Sequence, residues 1–249
     1  MKFEEAFCSQ NHRYYSVDEI TAIYLKEPDV FASLYRNNLF CPGCQKAKLS
    51  YNNASIPYLK SYPNAEHTDS CDLRQSEMSS DDAYAFSQDP ASQEVIQRQM
   101  QSILQNLLAM SPTGGSIAHQ KICNGKSGSK TAALNTVTRK RLARKRIDMP
   151  MREEDYNCVK CFYGPVIFRW EKDAQTGKMK ILLRHQITKR FLGKLKVSKD
   201  VYDHIADNIK GTKEFRCNIV FVAIAEKRSD GRYFTATLRH STHLLLSKT

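Results

Sequence analysis

Cys41 and Cys44 have two residues between them, and His67 and Cys71, which begin 22 residues further on, have three. Two thiolates across a two-residue gap can reach one tetrahedral ion from a single tight turn, and Pro42-Gly43 supplies the residues such a turn needs. His67 and Cys71 can close the shell from one helical turn or a loop. Three thiolates and an imidazole leave no coordination position for water, so the pattern predicts a structural Zn2+ rather than a catalytic one. The competing account is coincidence. It is weakened because the first ten residues carry acidic side chains and no apolar signal core, so the eight cysteines are expected to be thiols or ligands in a reducing, cytoplasmic setting.

Other reactive residues fit chemistry less well. Cys158 and Cys161 repeat the two-residue gap, and Cys217 could join them, but they fall in strand-like sequence, where positions three apart face opposite sides; core thiols are the better reading. His240 and His243 fail as a chelate for the same reason. Cys8 and His12 stand at helical spacing without a third ligand nearby. Gly125-Lys126-Ser127 resembles the end of a phosphate-binding loop, but the earlier glycine is replaced by Gln120. There is no glycine-framed serine and no pair of carboxylates in apolar sequence, so no enzyme is expected.

Basic residues interleaved with rings form the second candidate site. A cluster runs through Arg139, Lys140, Arg141, Arg144, Lys145 and Arg146. Beyond it come Lys160, Phe162, Arg169, Trp170, Arg184, Lys189, Arg190, Phe191, Lys194, Lys196, Tyr233 and Arg239. Sequence-tolerant binding of single strands needs cations along the phosphates and rings under the bases. Strand alternation must send about half of these rings inward.

The stretch Leu39-Phe40-Cys41-Pro42-Gly43-Cys44, with Lys48-Leu49-Ser50 and His67-x3-Cys71, resembles the N-terminal zinc-binding region of competence-protein CoiA-like families. The resemblance covers roughly 35 residues and implies a zinc module in a DNA-related setting. Those families often join this region to a nuclease with a PD-(D/E)xK core. Here no Asp or Glu is followed two residues later by Lys, and Tyr58-Leu59-Lys60-Ser61-Tyr62 stands where the family's second histidine motif is expected. The nuclease is therefore not carried across.

The elements that must hold these residues fall into three stretches. Residues 1–75 are expected to be a small helical zinc-binding module. Residues 1–38 read as helical, with Ser16-Val17-Asp18-Glu19 as a capping box and Val30, Phe31, Leu34 and Tyr35 on one face. Residues 76–154 read as a linker containing an amphipathic helix, 92–110, and a flexible basic tether. Ile96, Met100, Ile103, Leu107 and Met110 form the helix's seam, either docked on its own protein or open to a partner or a second copy. Residues 155–249 read as strand runs 158–170, 179–185, 191–197, 215–225 and 232–246. Residues 173–177 and 229–231 are turns, and a helix capped by Ser198 follows the third run. Three strands, a helix and two strands is the order of the OB-fold, a five-stranded barrel, and Gly164 suits the bend of its long first strand. The expected class is α+β.

Charge divides the same way. Residues 1–90 hold 8 Lys and Arg against 13 Asp and Glu, whereas residues 91–249 hold 30 against 13. With a net charge of +12 and a pI near 9.3, the excess points to a polyanion bound by the second part of the chain. No apolar run reaches the length of a membrane helix. The resulting expectation is a zinc-containing nucleic-acid-binding protein, with single-stranded DNA favoured, acting in DNA replication, repair, recombination or transfer. A protein–protein adaptor and a diverged metal-dependent nuclease are the alternatives.

Overall fold

The computed structural model describes residues 2–68, 71–109, 140–172, 179–208, 214–227 and 233–248. Arg139, Met110, Gly125-Lys126-Ser127 and the expected turns 173–177 and 229–231 lie outside the described residues. The chain divides into two compact units, Met1–Ser76 with Ala109–Arg141, and Glu77–Leu108 with Leu142–Thr249.

The first unit corrects the all-helical expectation for residues 1–38. Strands β1 (Lys2–Phe3), β2 (Glu5–Cys8) and β3 (Arg13–Ser16) precede helix α1 (Val17–Lys26). The capping box explains the boundary. The Glu19 amide donates to Ser16 Oγ at 3.1 Å and the Ser16 amide to Glu19 Oε2 at 2.8 Å, which starts the helix at Val17 and leaves Ser16 extended. The short helix α2 (Pro28–Val30) runs into a π-helical turn, Phe31–Tyr35. Strands β4 (Leu39–Phe40), β5 (Leu49–Asn52) and β6 (Tyr58–Ser61) complete two antiparallel sheets, ordered β3-β2-β4 and β1-β6-β5. Phe3, Ile20, Phe31, Leu39, Leu49, Leu59 and Leu73 share one buried cluster with Cys41 and Cys71.

In the second unit the first four expected strand runs appear within two residues of their expected bounds, and the fifth appears in part. They are β8 (Val159–Lys172), β9 (Met179–His185), β10 (Phe191–Val197), β11 (Glu214–Lys227) and β12 (Phe234–Leu238). Between β10 and β11 lies α5 (Lys199–Asn208), where the Val201 amide donates to Ser198 Oγ at 3.3 Å. β8 pairs with β9, β9 with β10, β10 with β12 in parallel, β12 with β11, and β11 back with β8, so the five strands close into a barrel. Alternate residues fill it, including Phe162, Val166 and Phe168 from β8 and Ile219, Phe221 and Ala223 from β11. Phe162 stacks with Phe221 at 5.2 Å and with Phe234 at 6.1 Å. Gly193 lies beside Phe234 in the parallel register, and a Cβ there would meet that ring at 2.7 Å. Gly164 takes φ 151° midway along β8, where the strand's outer partner changes from β7 (Arg144–Arg146) to β9.

The linker and tether expectations also change. Arg144–Arg146 is not a flexible tether but a strand, β7, parallel to β8. Helices α3 (Ser80–Gln88) and α4 (Gln93–Ala109) belong to the barrel unit as far as Leu108, and α3 packs on β8. On α4, Ile96, Met100, Ile103 and Leu107 are all buried. Gln97 donates to the Thr242 carbonyl, and Gln93 Oε1 lies 2.8 Å from His243 Nε2. The seam is therefore docked within its own chain. The expected fifth run divides at the turn Ser241–His243 into β12 and β13 (Leu244–Lys248), the latter pairing with β11. No helix among the described residues is long and apolar enough to cross a membrane.

Candidate metal centre and basic hairpin

The metal-ligand pattern converges. Cys41 directly follows β4, and its amide donates to the Ala47 carbonyl at 2.7 Å while its carbonyl accepts from Gln45 at 2.8 Å, closing the loop that carries Cys44. Gly43 is needed there, since a Cβ would stand 3.0 Å from Leu73 Cδ1 and 3.4 Å from Cys71 Sγ. Cys71 sits at the start of the turn Asp72–Arg74, its amide bonded to the Thr68 carbonyl at 3.0 Å. The His67 ring stacks on Phe3 of β1, with centroids 6.2 Å apart.

The four ligand atoms lie within 4.8 Å of one another and could hold a metal ion. Cys41 Sγ is 3.8 Å from Cys71 Sγ, and His67 Nδ1 is 3.6 Å from Cys44 Sγ and 3.4 Å from Cys71 Sγ. The side chains divide their protons unequally. The hydrogen bond from Cys41, followed by the influence of His67 and Cys44, pulls the Cys71 thiol down to about 5 against the opposing effect of burial. The same bond to Cys71, followed by burial, pushes Cys41 up. The cluster therefore favours the thiolate form at Cys71, the form that binds metal.

Among the described residues Cys8, Cys161 and Cys217 are core thiols, whereas Cys158 is half-buried just before β8 with its thiol donating to the Glu154 carbonyl at 3.4 Å, and Cys123 lies outside the described residues. Cys217 is fully buried in the barrel and pushed up to about 12 by that burial. Cys161 is buried on β8, and Cys8 is buried against the Leu34 carbonyl.

The expected basic residues separate into structural and solvent-facing groups. Phe162 is a core ring and no stacking platform. Lys145 and Lys160 are corrected as well: both amines are buried on the fully buried Asp155, at 2.8 and 2.7 Å. Sequence reasoning missed Asp155, whose only local signal is that it ends an acidic triplet just before a strand. Burial raises its pKa, but hydrogen bonds from Lys145 and Lys160 outweigh that and hold it below the ordinary carboxylate range. Arg141 is buried, Arg144 is half-buried, and Arg146 is engaged by both Asp148 oxygens at 2.8 and 2.9 Å. Trp170 is half-buried against the core and packs on Tyr202 of α5 at 5.2 Å. Lys140 is exposed.

Arg169, Arg184, Lys189, Arg190, Lys194 and Lys196 lie on β8, β9 and β10 and in the turn between β9 and β10. Arg169 lies 3.9 Å from Glu171 and from Glu214, and Lys196 lies 3.6 Å from Glu226. By contrast, Arg184, Lys189, Arg190 and Lys194 meet no carboxylate at ion-pair distance among the described residues. All four occupy one hairpin. Its turn is fixed by His185 Nδ1, which accepts from the Ile187 and Thr188 amides at 3.2 and 3.1 Å, and Lys189 adopts φ 59°. Phe191 beside it meets Tyr233 edge to face at 4.7 Å. Compared with protein-family models, curated proteins and solved structures, the chain matches none.

Proposed function

We propose that this is a non-enzymatic, zinc-containing protein that binds single-stranded nucleic acid, DNA in preference, through the outer face of the β9–β10 hairpin, and that it serves DNA replication, repair, recombination or transfer. The observation that carries the reading is the set of four cations that meet no carboxylate at ion-pair distance among the described residues, on one hairpin beside a half-buried ring pair. A backbone of phosphates is the ligand that satisfies several fixed cations at once, and rings accept bases without regard to sequence.

Zinc is supported by dimensions. Bonds of about 2.3 Å to sulfur and 2.0–2.1 Å to nitrogen make tetrahedral edges of about 3.8 Å between sulfurs and about 3.5 Å from sulfur to nitrogen. The ligand atoms stand at 3.8, 3.6 and 3.4 Å. An OB-like barrel is supported by the closed strand order with its parallel β10–β12 pair and the helix between β10 and β11. Such barrels bind oligonucleotides on the face of their second and third strands, here β9 and β10. The adaptor alternative loses one of its two surfaces, because the α4 seam is buried.

The test is a titration of the whole protein against single-stranded DNA, duplex DNA and single-stranded RNA at two salt concentrations. Four phosphate contacts on a single strand give a log–log salt slope of about −3. We expect single-stranded DNA to bind tightest with that steepness. Absence of binding at low salt would remove the assignment and leave the adaptor.

A further inference from the structure

We propose that the cleft between the segment leading into β8 and the starts of β10 and β12 is a base pocket, which takes one unstacked nucleobase of a bound single strand and sets the adjoining phosphate on Arg190. This rests on the nucleic-acid reading above and adds to it a discrete pocket for one base.

The cleft has a volume of about 190 Å³. Pockets for drug-sized ligands run from about 300 to 1,000 Å³, so this one suits a single flat ring system rather than a folded cofactor or a helix. Met149, Met151 and Tyr156 line it from the segment before β8, and Phe191 and Tyr233 line it from the strand starts. A base is recognised by just such surroundings: aromatic rings, polarisable thioethers and a hydroxyl that can meet its edge. Phe191 and Tyr233 hold each other at 74°, so the pair offers a ring face and a ring edge together. Tyr156 is half-buried, and its hydroxyl makes no hydrogen bond among the described residues. Burial is the largest cause that raises its pKa, so it stays a neutral donor at physiological pH.

Arg190 supplies the phosphate contact. It is exposed on the wall of the cleft and meets no carboxylate at ion-pair distance among the described residues. Its backbone is locked into the hairpin, the carbonyl accepting from the His185 amide at 2.8 Å and the amide donating to Thr188 Oγ1 at 3.4 Å. That fixes where the Arg190 side chain leaves the backbone, on the wall of the cleft. A base in the cleft and its phosphate on Arg190 would continue directly onto Arg184, which faces Phe191 across the β9–β10 pairing.

The experiment compares, with the full chain, a twelve-residue oligothymidylate and a strand of the same length bearing abasic sites throughout. One stacked base is worth about 1–3 kcal/mol, so the base-bearing strand is expected to bind roughly 5- to 150-fold more tightly, with the same salt slope. Tyr233→Ala should abolish that difference while leaving abasic-strand binding unchanged, and Arg190→Ala should reduce the salt slope on both strands by about 0.7. Equal binding of the two strands by the unaltered protein overturns the pocket while leaving the nucleic-acid reading intact, and this comparison needs no variant to fold. Failure of both strands to bind at low salt overturns both readings. If an acidic tryptophan-containing peptide binds instead, and Tyr233→Ala abolishes it, the cleft belongs to a protein partner and the proposal falls.

Discussion

Cys41, Cys44, His67 and Cys71 were legible because their meaning is local, residing in ligand type, short gaps and a Pro-Gly turn. Cys41→Ser should reduce bound zinc from about one per chain to near zero and abolish the thermal transition of the first unit, while the barrel's β signal persists. Metal analysis alongside circular dichroism checks it, and equal metal content in both proteins would contradict it. The basic residues were only half legible. Lys160 and Lys194 look alike in sequence, yet one is neutralised by a carboxylate five positions back and the other meets none. Nothing local announces that Asp155 turns inward. Replacing Asp155 by Ala leaves two buried ammonium groups without their counterion, and removing one partner of a buried ion pair costs about 3–5 kcal/mol. Denaturant melts of Asp155→Ala should show a loss of that size. Because the Asp155 pKa is depressed, its stabilisation is present above the ordinary carboxylate range and fades as pH falls below about 4.

Strand runs were read from clusters of apolar, β-branched and aromatic residues, and β9 and β10 have the expected bounds. The N-terminal strands were not, because four-residue segments such as Glu5–Cys8 are too short to show a period. The last run was misjudged because alternation does not show the turn at Ser241–His243 that splits it. That turn has its own consequence, because it receives α4. His243 is pulled down to about 4 by burial and then by His240, whose ring lies 4.9 Å away, while Gln93 holds its Nε2. A histidine with a depressed pKa favours the fold while neutral. Its contribution is complete above about 6.5 and is lost as pH falls from there toward 4. The barrel unit's melting temperature should therefore decline across that window, and His243→Gln should flatten the decline. An unchanged slope in that variant would show that another group controls it.

At the scale of the whole chain, the charge asymmetry set where a polyanion is expected, and the first compact unit's opening segment ends at Ser76, shortly before α3. The expected independent linker was an error of a different kind. An amphipathic helix and a basic stretch carry no signal of what they dock against, and here α3, α4 and β7 complete the outside of the barrel. Lys145 and Arg146 are consequently part of the fold, whereas Arg184, Lys189, Arg190 and Lys194 on the β9–β10 hairpin meet no carboxylate at ion-pair distance among the described residues.

The central claim is that this hairpin meets phosphates. The most direct measurement is the salt dependence of single-stranded DNA binding by the full chain beside that of the variant carrying Arg184→Ala, Lys189→Ala, Arg190→Ala and Lys194→Ala. The account predicts that the variant folds and melts normally, binds weakly and loses about 3 from the magnitude of the log–log slope. A folded variant that binds with the slope and affinity of the unaltered protein would contradict it.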